Sequence, residues 1–282
     1  VNSHMITKNM LSVADAADPE ANKNAASASE TAGFNYVDKS VVFRLYVNEN
    51  ALSDATNDLT ANPSVSLGKV TVKDTLPAGW VFTDVTPGNP YLIYEGTRAA
   101  NGVVTAGAAP VDTTFFSSDF SQDGLASFTF DTLTKPYVIL VRAKPTEAKL
   151  ASYFDNNEVS NALNTLSISS ENWTPGVTVT QNVKITSEIV KKTIQLPAVD
   201  GTLNWTIEYK PYNLNYASLR IEDTLPQGLD LKTNASGVLD LTSQNIEAYE
   251  MNLNPNGTYT LGSSVPLVVG DNLSYDSTTR KI

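Results

Sequence analysis

Cysteine is absent from the 282 residues, which excludes disulfides, thiol nucleophiles and thiolate-bound metals together. Histidine is almost as scarce. The single one, His4, stands in the opening VNSHM, which reads as a cloning remnant rather than native sequence. With it set aside, Ser-His-Asp and Cys-His machinery and ordinary zinc sites have no members. Positive charge is also in short supply. The 19 Lys and Arg face 30 Asp and Glu, a net charge of −11, which argues against nucleic-acid partners and attachment to anionic lipid. No run approaches the roughly 18–20 apolar residues of a membrane span, and no signal peptide is recognisable. Charged residues make up 17% of the chain, against about 25% in an average soluble domain. Asn, Thr and Ser fill the gap, a composition of strands and turns.

What is present is a repeat. VDKSVVFRLYV at 37–47 matches VDGTLNWTIEY at 199–209 without a gap, and VTVKDTLPAGW at 70–80 matches LRIEDTLPQGL at 219–229, in the same order. The blocks alternate with period two, so Phe43, Leu45, Val70, Val72, Trp205, Ile207, Leu219 and Ile221 are expected to be buried. Further strands are expected near 126–133, 137–145, 158–169 and 177–185. The pattern predicts an all-β protein of tandem Ig-like β-sandwiches, the second incomplete. The first sandwich is placed at 6–187, with long insertions, and the second at 188–282. Near Ser187 the joint has neither Gly nor Pro, which suggests a short, fixed connection. The segment DPEANKNAASAS reads either as a short helix, with Asp18 as cap and Pro19 in the first turn, or as an Ala/Ser-rich linker.

The informative residues are ionisable groups whose parity turns them inward. Asp74 follows Val70 and Val72 on one face, and Asp223 follows Leu219 and Ile221; the alternative is a pair of turn residues within DTLPxG. Lys8 shares parity with Ile6 and Met10, and Lys192 with Val190 and Ile194. Buried lysines are rare without partners, and the alternative is a strand end whose Lys snorkels to water. In FDNNEVSNALNTL, Asn157 and Asn161 share parity with Val159 and Leu163, whereas Asn156 and Asn164 fall on the other face.

Together, the opening Lys strand, the W/F-x-[IL]-x-[YV] strand, the repeated DTLPxG and the late Asn strand resemble Gram-positive cell-wall-anchored adhesins and pilins. Those proteins are built of isopeptide-bonded Ig-like (Cna-type) domains. The resemblance implies that Lys8 and Lys192 are amine donors, Asp74 and Asp223 the assisting carboxylates, and Asn157 the acceptor, with Asn161 in reserve. It further implies a structural or adhesive, non-enzymatic, extracellular and cell-wall-anchored protein without cofactors. Such a protein is expected to be monomeric, with a host or environmental protein or glycan as partner. Two features depart from the pattern. Val37 stands 29 positions after Lys8, whereas Val199 stands 7 after Lys192, and the chain lacks the C-terminal sorting signal, as an internal fragment would.

The chemistry is physically sound. Burial lowers a lysine pKa and raises an aspartate pKa, giving a neutral amine beside an acid able to shuttle protons. The fold supplies the proximity, and each domain reacts once. One bond, Lys8 to Asn157, is expected, with Lys192 unlinked because the strand carrying its partner would lie beyond Ile282. The rival reading is a secreted carbohydrate-active protein, either a glycan-binding module with Tyr91, Tyr94 or Trp173 as platforms, or a hydrolase using pairs such as Asp54 with Asp58 or Asp119 with Asp123. A calcium site at Asp54, Asn57 and Asp58 lacks the pattern of a loop cage.

Overall fold

The computed structural model describes residues 5–51, 68–108, 114–155, 157–171, 173–215 and 217–282. Asp54, Asn57, Asp58 and Asn156 lie outside the described residues, as does the Trp173 side chain. The chain divides into two compact units, residues 1–209 with 255–257, and residues 210–254 with 258–282.

Unit 1 is a sandwich of two antiparallel sheets. The first runs in the order β1 (Ile6–Met10), β2 (Val41–Val47), β9 (Tyr137–Pro145), β5 (Tyr91–Arg98) and β6 (Val104–Ala106), with β4 (Trp80–Thr83) also paired to β9. The second runs β11 (Trp173–Thr186), β10 (Val159–Ser170), β3 (Val70–Thr75), β8 (Leu125–Phe130) and β7 (Phe116–Asp119). Phe43, Leu45, Val70 and Val72 are buried between the sheets as alternation requires. A helix, α1 (Glu147–Tyr153), follows β9. Thr146 caps it by accepting the Lys149 N–H, and Leu150 and Tyr153, three apart, turn the same face inward.

The first sheet buries its outer face as well, and so β2 reads as an almost unbroken apolar run. Leu11, Ala16, Val42, Tyr94, Val104, Ala106, Val138 and Leu140 form a second core there. The long stretch between Lys8 and Val37 supplies part of that cover. It is not an α-helix: a 3-10 turn at Asp15–Ala17 leads into irregular chain, although Asp18 does cap, accepting the Ala21 N–H at 3.1 Å. The reason lies in its partners. Buried Arg44 donates to the carbonyls of Lys23 and Ala25 at 2.8 and 2.7 Å, and the Asn24 amide exchanges two hydrogen bonds with the Ala106 backbone. Those tertiary bonds replace helical ones at the same backbone.

The repeat survives in its turns. In both copies the Pro carbonyl accepts the N–H three residues on, Pro77 from Trp80 at 3.1 Å and Pro226 from Leu229 at 3.3 Å, with Gly79 and Gly228 at φ 82° and 87°. Both turns have type II geometry. A Cβ at Gly79 would meet the Lys149 Cβ at 2.9 Å, whereas one at Gly228 meets nothing within 4 Å. Gly228→Ala should therefore cost about 1 kcal/mol of backbone strain. Gly79→Ala should cost visibly more, and hydrogen exchange of strand amides in each unit would show the contrast.

The strands β12 (Val190–Ile194) and β13 (Trp205–Tyr209) pair antiparallel and fall within unit 1, with Trp205 and Ile207 only half-buried. In unit 2, β14 (Ala248–Leu253) pairs with β15 (Tyr259–Val265), and Tyr212, Leu225 and Leu273 are buried. The segment matching β3 is not a strand. Leu219 and Ile221 are 54% and 50% exposed, contrary to the alternation argument. In unit 1, β3 is held between β8 and β10; in unit 2 the matching segment meets residues 280–282 through an isolated bridge from Thr224 to Lys281 and the backbone bonds beside it, with no named strand on either side among the described residues. Alternation buries a face only where an opposing sheet exists to receive it.

Lys39, at φ 56°, tucks its amine against the Tyr36 carbonyl and over the Phe154 ring, and burial pushes its pKa down to about 8. The unfolded chain therefore holds more protons between pH 8 and the ordinary lysine value near 10.4, so stability should rise with pH across that window. Lys39→Met should flatten the rise in urea midpoints between pH 7.5 and 10.

Candidate functional site

Parity places the first two groups. On β1, Ile6, Lys8 and Met10 point inward, and Lys8 stands opposite Leu45 of β2. On β3, Asp74 continues the Val70–Val72 stripe, flanked by Ala126 of β8 and Leu166 of β10. The sandwich brings β1 against β10 and β11. Lys8 Nζ donates to Asp74 Oδ1 at 2.7 Å with both side chains wholly shielded from solvent. The amine also lies over the Phe43 ring, its centroid 4.6 Å from Nζ.

The third group is Asn164. It is fully buried on β10, whose inward residues are Ala162, Asn164, Leu166 and Ile168. Its amide stands beside Asp74 and favours the ionised carboxylate there. Yet neither amide atom of Asn164, nor Asp74 Oδ2, completes a hydrogen bond of good geometry. An unsatisfied buried polar group costs about 1–3 kcal/mol. Three such atoms beside one ion pair are therefore a concentration of unfavourable energy in an otherwise apolar core.

Asn157 and Asn161 are elsewhere. The exposed Asn157 side chain accepts from the N–H groups of Ile189 and Val190 and donates to the Val190 carbonyl at 2.9 Å, tying β12 to the start of β10. Asn161 is exposed, accepting from Asn182 on β11 at 2.8 Å. The inward parity of β10 is thus the reverse of that inferred from Val159 and Leu163, which are 56% and 51% exposed. Leu166 and Ile168 set it, because they sit opposite Asp74 and Val72 across the sheet. The signal was in the sequence: the stripe Ala162, Asn164, Leu166, Ile168 is the more consistently apolar one, but only over the full length of the strand.

Burial dominates the electrostatics. It pushes the Lys8 amine below its ordinary value, opposed by Asp74, and pushes the Asp74 carboxyl above its own, opposed by Lys8 and by the Asn164 amide. A neutral amine beside a protonated acid holds the same single proton as the ion pair. The site can therefore pass between the two forms by one transfer along the 2.7 Å contact, with no proton taken from solvent.

The second copy is not arranged this way. Lys192 is exposed on β12, its amine 5.5 Å from the centroid of Trp205, and half-buried Asp223 exchanges backbone hydrogen bonds with Ile282. Of the aromatic candidates, Tyr91 and Tyr94 serve local packing. Tyr94 is buried in the outer core, and Tyr91 stacks on Phe120 with centroids 5.8 Å apart. Asp119, the last residue of β7, accepts from Ser121 N–H at 2.8 Å in the turn that follows. Among the described residues, no group of three or more His, Cys, Asp or Glu could hold a metal, and no helix is long and apolar enough to cross a membrane.

No family model and no curated protein matches the chain. Solved structures similar to it are domains of bacterial surface adhesins and pilins. The collagen-binding subdomain of the Enterococcus faecalis surface protein ACE is 12% identical, with a TM-score of 0.34 over 66% of this chain and 97% of that one. The C-terminal domain of the Streptococcus agalactiae AgI/II polypeptide BspA is 10% identical, with a TM-score of 0.36 over 64% of this chain and 49% of that one. A two-domain portion of the major pilin SpaD from Corynebacterium diphtheriae is 10% identical, with a TM-score of 0.30 over 67% and 53%. These are loose likenesses, and the functional reading rests on the side chains of this chain.

Proposed function

We propose that the protein is a structural and adhesive module of a Gram-positive bacterial surface, exported and held at the cell wall, whose first sandwich staples itself with an amide bond between Lys8 and Asn164. The observation that carries this reading is the orphaned Asn164 amide, fully buried next to the Lys8–Asp74 pair. The neutral Lys8 Nζ attacks Asn164 Cγ while protonated Asp74 donates to Asn164 Oδ1, drawing electron density off the carbon. The attacking nitrogen then gives a proton, through Asp74, to Nδ2. The Cγ–Nδ2 bond breaks, ammonia leaves, and Nζ–Cγ remains as a secondary amide. One amine and one primary amide become one secondary amide and one ammonia, with Asp74 returned to its starting state. No cofactor or turnover is involved.

The bond closes a loop of about 155 residues, which removes denatured-state entropy worth about 5 kcal/mol by the model used for disulfides. A cysteine-free extracellular domain gains in this way the constraint that disulfides give other secreted domains. The intact mass should fall one ammonia short of the sequence sum. Asn164→Ala should restore the full sum, while Asn157→Ala and Asn161→Ala should keep the deficit. A full sum for the unsubstituted protein would contradict the reading.

A further inference from the structure

A second site shares no residue with the staple. A groove of about 160 Å³ opens between the end of β4 and the loop after β7. Half-buried Phe82 and Phe120 form its apolar wall, and the exposed carboxylates of Asp84 and Asp123 stand on its rim. The wall is braced: Phe82 meets Phe120 edge-on at 5.4 Å, and Tyr91 stacks parallel to Phe120. The Gly88 N–H donates to Asp84 Oδ2 at 3.0 Å, which fixes that carboxylate in place.

We propose that this groove takes an arginine side chain of a partner polypeptide. Aromatic rings and carboxylates both attract cations, and here they line one concavity. A guanidinium suits it better than an ammonium, because its plane stacks on a ring while its fork of N–H groups reaches carboxylate oxygens. A sugar suits it less. A neutral sugar draws no charge attraction from the two carboxylates, and of the lining side chains only Thr83 and Gln122 donate hydrogen bonds. The net charge of −11 raises the local concentration of basic segments and steers them in. The proposal does not depend on the staple.

The test is a titration of the isotopically labelled full chain with acetyl-Gly-Arg-Gly-amide, followed by amide shifts, beside the same peptide with citrulline or lysine. The arginine peptide should give saturable shifts concentrated at 81–84 and 120–124. The lysine peptide should bind more weakly, and neutral citrulline should not saturate. The double variant Asp84→Asn, Asp123→Asn should weaken arginine binding roughly tenfold, about 1.4 kcal/mol, with the spectrum away from the groove unchanged. Equal shifts with citrulline, equal affinity for lysine, shifts centred elsewhere, or undiminished binding by the double variant would each overturn the proposal. Should that variant misfold, Phe120→Leu replaces it, and undiminished arginine binding there would overturn it as well.

Discussion

The Lys8→Met variant should melt about 10–20 °C below the unsubstituted protein, because it loses a constraint worth about 5 kcal/mol in a unit of this size. It should nevertheless fold. Methionine fills the space beside Phe43, and protonated Asp74 can donate to the Asn164 amide that it already adjoins. Its pH dependence carries a sign. Burial raises the Asp74 pKa, and in this variant Lys8 no longer opposes the rise, so the folded state holds more protons than the unfolded one above the ordinary carboxylate value. Stability contributed by that carboxyl is present at and below pH 4, and declines as pH climbs through the raised value. Melting temperatures from pH 4 to pH 8 would measure the decline. A variant melting within a few degrees of the unsubstituted protein would show that no covalent constraint had been lost.

Asp74→Ala should be the more damaging change, although it abolishes the same bond. Without the carboxylate the amide is not activated, and Lys8 stays buried with no acid to share its proton. Both variants strand one member of the buried pair. In Lys8→Met the protonated Asp74 keeps the Asn164 amide as partner, whereas the amine stranded by Asp74→Ala has no acid beside it, so Asp74→Ala should be less stable by about 1–3 kcal/mol. The double variant Lys8→Met, Asp74→Ala should recover part of that loss by removing the stranded amine. The comparison separates two roles of Asp74: both single variants should show the full sequence mass, and only their stabilities should differ.

The site was two-thirds legible in the sequence, for reasons that differ from residue to residue. Lys8 and Asp74 lie on short strands where one apolar stripe, Ile6 to Met10 or Val70 to Val72, leaves a single choice of face. Asn164 lies on a twelve-residue strand with exposed apolar residues, Val159 and Leu163, near its start. Read from that end the parity points outward; read from Leu166 and Ile168 it points inward. Asn157 shares the parity of Val159 and Leu163, and its amide, preceding β10, serves to hold β12. Asp223 shows the converse limit. Its sequence match to Asp74 is close, and its turn is reproduced, but a motif carries its neighbours' chemistry only where opposing strands enclose it. The cover on the outer face of the first sheet was unreadable for another reason. Arg44 and Asn24 bind distant backbone groups, and such pairings leave no periodic trace.

The most direct test of the staple is tandem mass spectrometry of proteolytic fragments from the unsubstituted protein. The account predicts a branched species joining the peptide that contains Lys8 to the peptide that contains Asn164, one ammonia lighter than their sum, with fragment ions placing the branch at those two side chains. Two linear peptides of unaltered mass, or a branch ending at Asn157 or Asn161, would contradict it.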